Sequence, residues 1–88
     1  MNKDGQVTVR VCIGGEEHPI KGDASVEYIR SLAHIVDTHM KSIQEGNPKL
    51  TRHRVAILTA LNLADELEKV RAEYKELLQI MEEANQVR

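Results

Sequence analysis

From Thr51 onward the apolar positions fall three and four apart without a break. Apolar or small residues recur at Ala60, Leu63, Leu67, Val70, Tyr74, Leu77, Met81 and Ala84, the a/d seam of a coiled coil rather than the broader stripe of a surface helix. The stretch from Thr51 to Arg88 contains no Gly and no Pro. Most of its residues favour helix, so it is predicted as one helix about 55 Å long. Such a helix outruns any core that a chain of this size builds around it. Its seam is therefore expected to meet another helix, and a second copy of the chain is the simplest source.

The pattern differs upstream. VTVRVCI alternates, with Val7, Val9, Val11 and Ile13 on one side and Thr8, Arg10 and Cys12 on the other, which predicts a half-buried strand. Gly14-Gly15 follows, a pair suited to the positive φ angles of a tight hairpin turn. Residues 16–21 form the return strand, and Pro19 places it at an edge because proline donates no ladder hydrogen bond. Gly22-Asp23 ends this strand. Asp23 or Ser25 can cap a first helix, with Glu27 favourably placed in its first turn. Ile29, Leu32, Ala33, Val36, Met40 and Ile43 form one helical stripe. Gly46 is expected at C′, with Asn47-Pro48 preventing continuation. Thr51 then caps the long helix, which is expected to start antiparallel to the first.

These elements predict an α+β fold: a small β-hairpin and two helices, the second a long C-terminal helix forming a coiled coil. Between Val55 and Leu67 the long helix is apolar on two sides, since Ile57, Leu61 and Ala64 add a second stripe. That stripe is expected to serve head packing or a dimer interface, meeting either the first helix or the same region of a second chain. Past Val70 only the seam persists, apart from Leu78 and Ile80. The chain thus divides into a head, residues 1–67, and a coiled-coil arm, residues 68–88. The seam of the arm is Leu67, Val70, Tyr74, Leu77, Met81 and Ala84. Asp65–Lys69 and Lys69–Glu73 at i,i+4 are expected to contribute a few tenths of a kcal/mol each on the solvated face.

Composition narrows the function. Eighty-eight residues with 30% charged side chains and a formal net charge of −2 allow one small domain with no polyanion preference. Phe and Trp are absent, there are two Tyr, and the basic residues are scattered, so nucleic-acid binding is not expected. The polar start MNKDGQ is expected to fray and is no signal peptide, and no apolar run approaches a membrane span. The cytoplasm is the expected compartment, without membrane insertion. A lone Cys12 excludes an internal disulfide and has no basic cluster to activate it. His34 and His39 project about 140° apart on a helix, unlike an i,i+4 metal pair, and His18 and His53 are isolated. No catalytic, cofactor or metal site is expected.

RVAILTALNLADELEKV resembles the signature of the ZapA family, small bacterial proteins associated with the FtsZ division ring. VTVRVCIGGEEHPIKG is similar to the family's hairpin, with Gly15 and Ile20 at its marked positions. SVEYIRSLAHIVDTHMKSIQEGNPKL is similar to its first helix, including Ala33, Val36-Asp37, Met40, Ile43 and Asn47-Pro48. The likeness covers nearly the whole chain, and Ala60-Leu61-Asn62 is its most specific part. It implies a head that dimerises and an arm that pairs dimers into a tetramer. It further implies a non-enzymatic adaptor that binds FtsZ and cross-links or aligns its protofilaments at the mid-cell ring. By the same resemblance, Lys41, Lys49, Arg52 and Arg54 are candidate FtsZ contacts, with Glu45 among them reversing a charge seen in some relatives.

Two other readings stand beside it. A coiled-coil scaffold for a different partner fits the residues outside the signature equally. A small enzyme would need Cys12 or a histidine brought against a carboxylate across a dimer axis.

Overall fold

The computed structural model describes residues 5–86. Its elements run β1 (Val7–Ile13), β2 (Glu16–Gly22), α1 (Val26–Gly46) and α2 (Arg52–Gln86). The hairpin, the first helix and the long second helix therefore stand where the hydrophobic pattern put them. Residues 1–4, part of the segment expected to fray, lie outside the described residues, as do the last two.

β1 and β2 form a two-stranded antiparallel sheet closed by Gly14-Gly15, with Ile13 opposite Glu16 and Arg10 opposite Pro19. Both turn glycines have positive φ, 62° and 81°, so the turn is of the type whose twist matches the strands. In such a hairpin the closing pair is hydrogen-bonded and pairs alternate from there. Pro19 consequently occupies a non-hydrogen-bonded position, where its missing N–H costs the ladder nothing. Gly14 also lies against α1: a Cβ there would stand 2.8 Å from Met40 Cε. Glycine is favoured at this position by its conformation, and a side chain there would also have to displace the flexible end of Met40.

Val9 and Val11 are buried against Ile29 and Ala33 of α1, with Val7, Ile13 and Ala24 around them. Each such aliphatic side chain contributes about 1.5–3 kcal/mol when fully buried. The core is small, and it is extended toward the turn by Met40 and by Val55 of α2. Ser25 begins α1, its Oγ accepting a hydrogen bond from the Tyr28 N–H at 3.1 Å. At the other end the expectation for Gly46 is corrected. Gly46 is the last helical residue, without positive φ, and Asn47 is the cap, its N–H bonding to the carbonyls of Ile43 and Gln44. The Gln44 amide then bonds to the carbonyls of Pro48 and Leu50 at 3.1 and 3.3 Å. The side chain of Gln44 thus fixes the connection that a left-handed glycine was expected to make. Thr51 starts α2, accepting from the Arg54 N–H on its Oγ1 at 3.2 Å.

The protomer is elongated. Its radius of gyration is 18.3 Å, against about 12 Å for a compact domain of this length. Its extents of 57 × 42 × 15 Å describe a thin body with α2 as its long axis. The expected two-sided burial of α2 up to Leu67 does not occur within one chain: only Val55 and Thr59 are buried, with Leu58 and Leu63 half-buried. The reason is that the core stripe of α1 is spent on the hairpin. Ile29 and Ala33 pack there, Met40 lies beside Val55 of α2, and Ile57, Leu61 and Ala64 stay exposed. Among the described residues, no helix is long and apolar enough to cross a membrane.

Candidate functional site

Two features converge at the hairpin tip. The first is a carboxylate on α1: Asp37 Oδ1 accepts a hydrogen bond from the Gly14 N–H at 2.9 Å, and Lys41 Nζ lies 3.1 Å from its Oδ2. The turn N–H, and then Lys41, hold the Asp37 carboxyl below its ordinary range. That contribution to stability is present above pH 3.8, the unperturbed value, and is lost as pH falls through the lowered one. The second is a cation from α2, since Arg52 Nη1 lies 2.8 Å from Glu16 Oε2 at the start of β2. Together they frame a groove lined by Gly14, Gly15, Met40, Lys41, Gln44, Arg52 and Val55. Its floor is apolar and its rim carries two exposed cations.

Of the five candidate contact residues, the fold brings Lys41 and Arg52 into this one groove. Glu45, Lys49 and Arg54 are exposed at the end of α1, in the connection and in the first turn of α2. They enter no ion pair among the described residues. Asp37 was not among the sequence candidates. Its signal in the sequence is a lone carboxylate one residue from Val36 on an otherwise apolar stripe, aligned with the turn it anchors. Exposed ion pairs such as Arg52–Glu16 contribute at most about 1 kcal/mol. Both rim cations can therefore exchange their internal partner for an external carboxylate at little cost.

A further polar link joins the helices away from the groove. His39 donates from Nδ1 to the Ile35 carbonyl at 2.9 Å and from Nε2 to Glu66 Oε2 at 2.8 Å. Both partners are acceptors, so both bonds form together only when the imidazole is doubly protonated and cationic. The Glu66 carboxylate, and then the Ile35 carbonyl, raise the His39 pKa above 6.5. The sign follows directly: the link stabilises fully below pH 6.5 and fades as pH rises through the raised value. Glu66→Gln is expected to bring the His39 titration back toward 6.5 and to flatten the dependence of stability on pH above that value. Proton NMR of the imidazole and urea melts at several pH values measure both. An unmoved His39 titration would exclude Glu66 as the cause.

One face of α2 carries a line of exposed apolar side chains beside its charged ones. Ile57 and Leu61 are 44% and 60% exposed, and Ala64 is exposed with them. Leu67, Val70, Tyr74, Leu77 and Met81 are each about half exposed or more, and Ala84 is exposed as well. None of these side chains enters the core of its own chain. Of the two charged partners expected for Lys69, Asp65 takes it, at 2.8 Å.

Comparison with known proteins agrees with this architecture. The family described as cell division protein ZapA matches residues 9–87. Cell division protein ZapA of Geobacillus sp. (strain WCH70) is 39% identical over 79 residues, covering 90% of this chain and 91% of that protein. The Bacillus licheniformis protein of the same name is 41% identical over 81 residues, covering 83% and 95% respectively. A solved structure described as a ZapA mutant dimer from Geobacillus stearothermophilus superposes with a TM-score of 0.70 at 33% identity, covering 93% of this chain and 95% of that one. With this likeness along nearly its full length, the chain belongs to the non-enzymatic ZapA family of cell division proteins.

Proposed function

We propose that this chain binds FtsZ and cross-links or aligns its protofilaments in the division ring at mid-cell, in the bacterial cytoplasm. In this reading residues 1–67 form a head that dimerises, and residues 68–88 form an arm that pairs two dimers into a tetramer. The observation that carries it is the exposed apolar surface of α2, from Ile57 to Met81, on a helix too long for its own head. An adaptor that aligns filaments needs several binding heads at fixed separation, and weak heads gain from simultaneous engagement. The likeness to a ZapA dimer supports association of two chains. The groove at the hairpin tip supplies a contact with exposed Lys41 and Arg52 on its rim, and the exposed Lys49 and Arg54 are further candidate cations in the connection and the first turn of α2.

Co-sedimentation with GTP-assembled FtsZ tests the reading. The wild-type chain is expected to pellet with the filaments, less so as salt rises, because exposed charges are screened beyond about 10 Å at 0.1 M. Reversing Lys41, Lys49, Arg52 and Arg54 together is expected to abolish pelleting while circular dichroism stays unchanged. Wild-type protein that stays in the supernatant would return the chain to a scaffold for a different partner. Pelleting untouched by the reversal would move the contact away from this groove.

A further inference from the structure

We propose that the outer edge of β1 is a docking site for an extended, acidic segment of a partner protein, which adds there as a third strand. The site does not depend on the FtsZ reading. It rests on a difference between the two edges of the hairpin and on what α1 places beneath each.

The alternation of the ladder turns the backbone groups of Val7, Val9, Val11 and Ile13 toward β2. Those of Thr8, Arg10 and Cys12 turn outward, and among the described residues they bond to nothing. The β2 edge is blunted, because Pro19 sits at the equivalent outward position without an N–H. The β1 edge keeps its full row of donors and acceptors, the template used in strand addition.

α1 crosses beneath the sheet and presents a different flank to each edge. On the β2 side Ile20 meets Ile29, Leu32 and Val36, an apolar surface suited to a helix of a second copy. On the β1 side Arg10, Val11 and Cys12 border Arg30, His34 and Asp37. The two carboxylates near this edge are already engaged. Asp37 is held by the Gly14 N–H and Lys41, and Glu17 by Arg10, whose Nη2 lies 2.6 Å from its Oε1. Arg30 and His34 are exposed and enter no ion pair among the described residues. Arg30 therefore leaves a positive charge uncompensated beside the edge, and His34 adds a second when it is protonated. Carboxylates at alternate positions of an added strand face Arg30 and His34, while the strand's backbone completes the ladder. A dimer that covers the apolar flank leaves this edge free.

The test uses the full-length chain, isotopically labelled and kept reduced, with a blocked seven-residue peptide that alternates valine and glutamate. A lysine counterpart of the same length is the control. The glutamate peptide is expected to slow amide exchange at Thr8, Arg10 and Cys12 and to leave Glu17 and Lys21 unchanged. The lysine peptide is expected to bind about tenfold more weakly or less. Arg30→Glu with His34→Glu, both at exposed positions, is expected to keep the fold and reverse the preference. Equal binding of the two peptides, protection at the β2 edge, or no protection at all would overturn the proposal. So would protection of the same three amides in the peptide-free protein that vanishes on dilution, since a second copy would then occupy the edge.

Discussion

Val55→Asp is expected to unfold the protomer. Val55 is 1% exposed, the most buried side chain in the structure, and stands where α2 meets Met40 and the hairpin tip. Its backbone N–H bonds to the Thr51 carbonyl in the first turn of α2, so the site cannot shift without unwinding the helix start. An aspartate there would bury its carboxylate beside Met40, while the groove's two cations, Lys41 and Arg52, lie exposed on the rim and already face Asp37 and Glu16. Burying an unpaired ionised group costs several kcal/mol even after relaxation. A core of this size rarely supplies more than about 3–5 kcal/mol. Circular dichroism at 25 °C is expected to show loss of the hairpin and α1, with any remaining helix signal unable to melt cooperatively. A variant with a wild-type urea midpoint would show that α2 is not anchored through Val55.

Leu61→Glu makes the contrast. On the sequence pattern alone this change is as severe as the first, because Leu61 lies on the second apolar stripe. In the protomer it is 60% exposed, so a carboxylate there stays hydrated and the fold survives. Its effect is expected on association alone, read as a fall in mass by sedimentation at unchanged helicity.

That difference marks the limit of what periodicity carries. Alternation in VTVRVCI and the Gly14-Gly15 pair specify the hairpin locally, because strand face and turn chemistry are properties of neighbouring residues. The limits of α1 were legible at Ser25, whose hydroxyl reaches only three residues. They were less so at Gly46, where Gln44 closes the connection by reaching four and six residues ahead. The partners of Asp37 and His39 were opaque, since they lie 23 and 27 residues away, across a tertiary contact. The stripe Ile57, Leu61, Ala64 shows the same limit. An apolar face states that something must cover it, and only the fold shows that its own chain does not.

The seam of α2 carries the largest expected effect on assembly. Leu77 and Met81 are 53% and 55% exposed, with Tyr74 and Val70 above 60% on the same line. They lie far along α2 from Val55 and Thr59, its two buried residues, so nothing in the head depends on them. A buried leucine or methionine contributes about 1.5–3 kcal/mol, and in a symmetric assembly each substitution is repeated in every chain. Leu77→Glu combined with Met81→Glu removes these contributions and sets like charges against one another at the centre of the interface. The double variant is expected to lose the proposed tetramer at micromolar concentration while the melting of the head stays unchanged. It should still pellet with FtsZ but no longer draw filaments into bundles, which light scattering and electron microscopy distinguish. A double variant that remains tetrameric by sedimentation would place the pairing surface elsewhere on α2. A monomeric one would assign the dimer itself to the arm, and the exposed stripe around Leu61 would then need another partner.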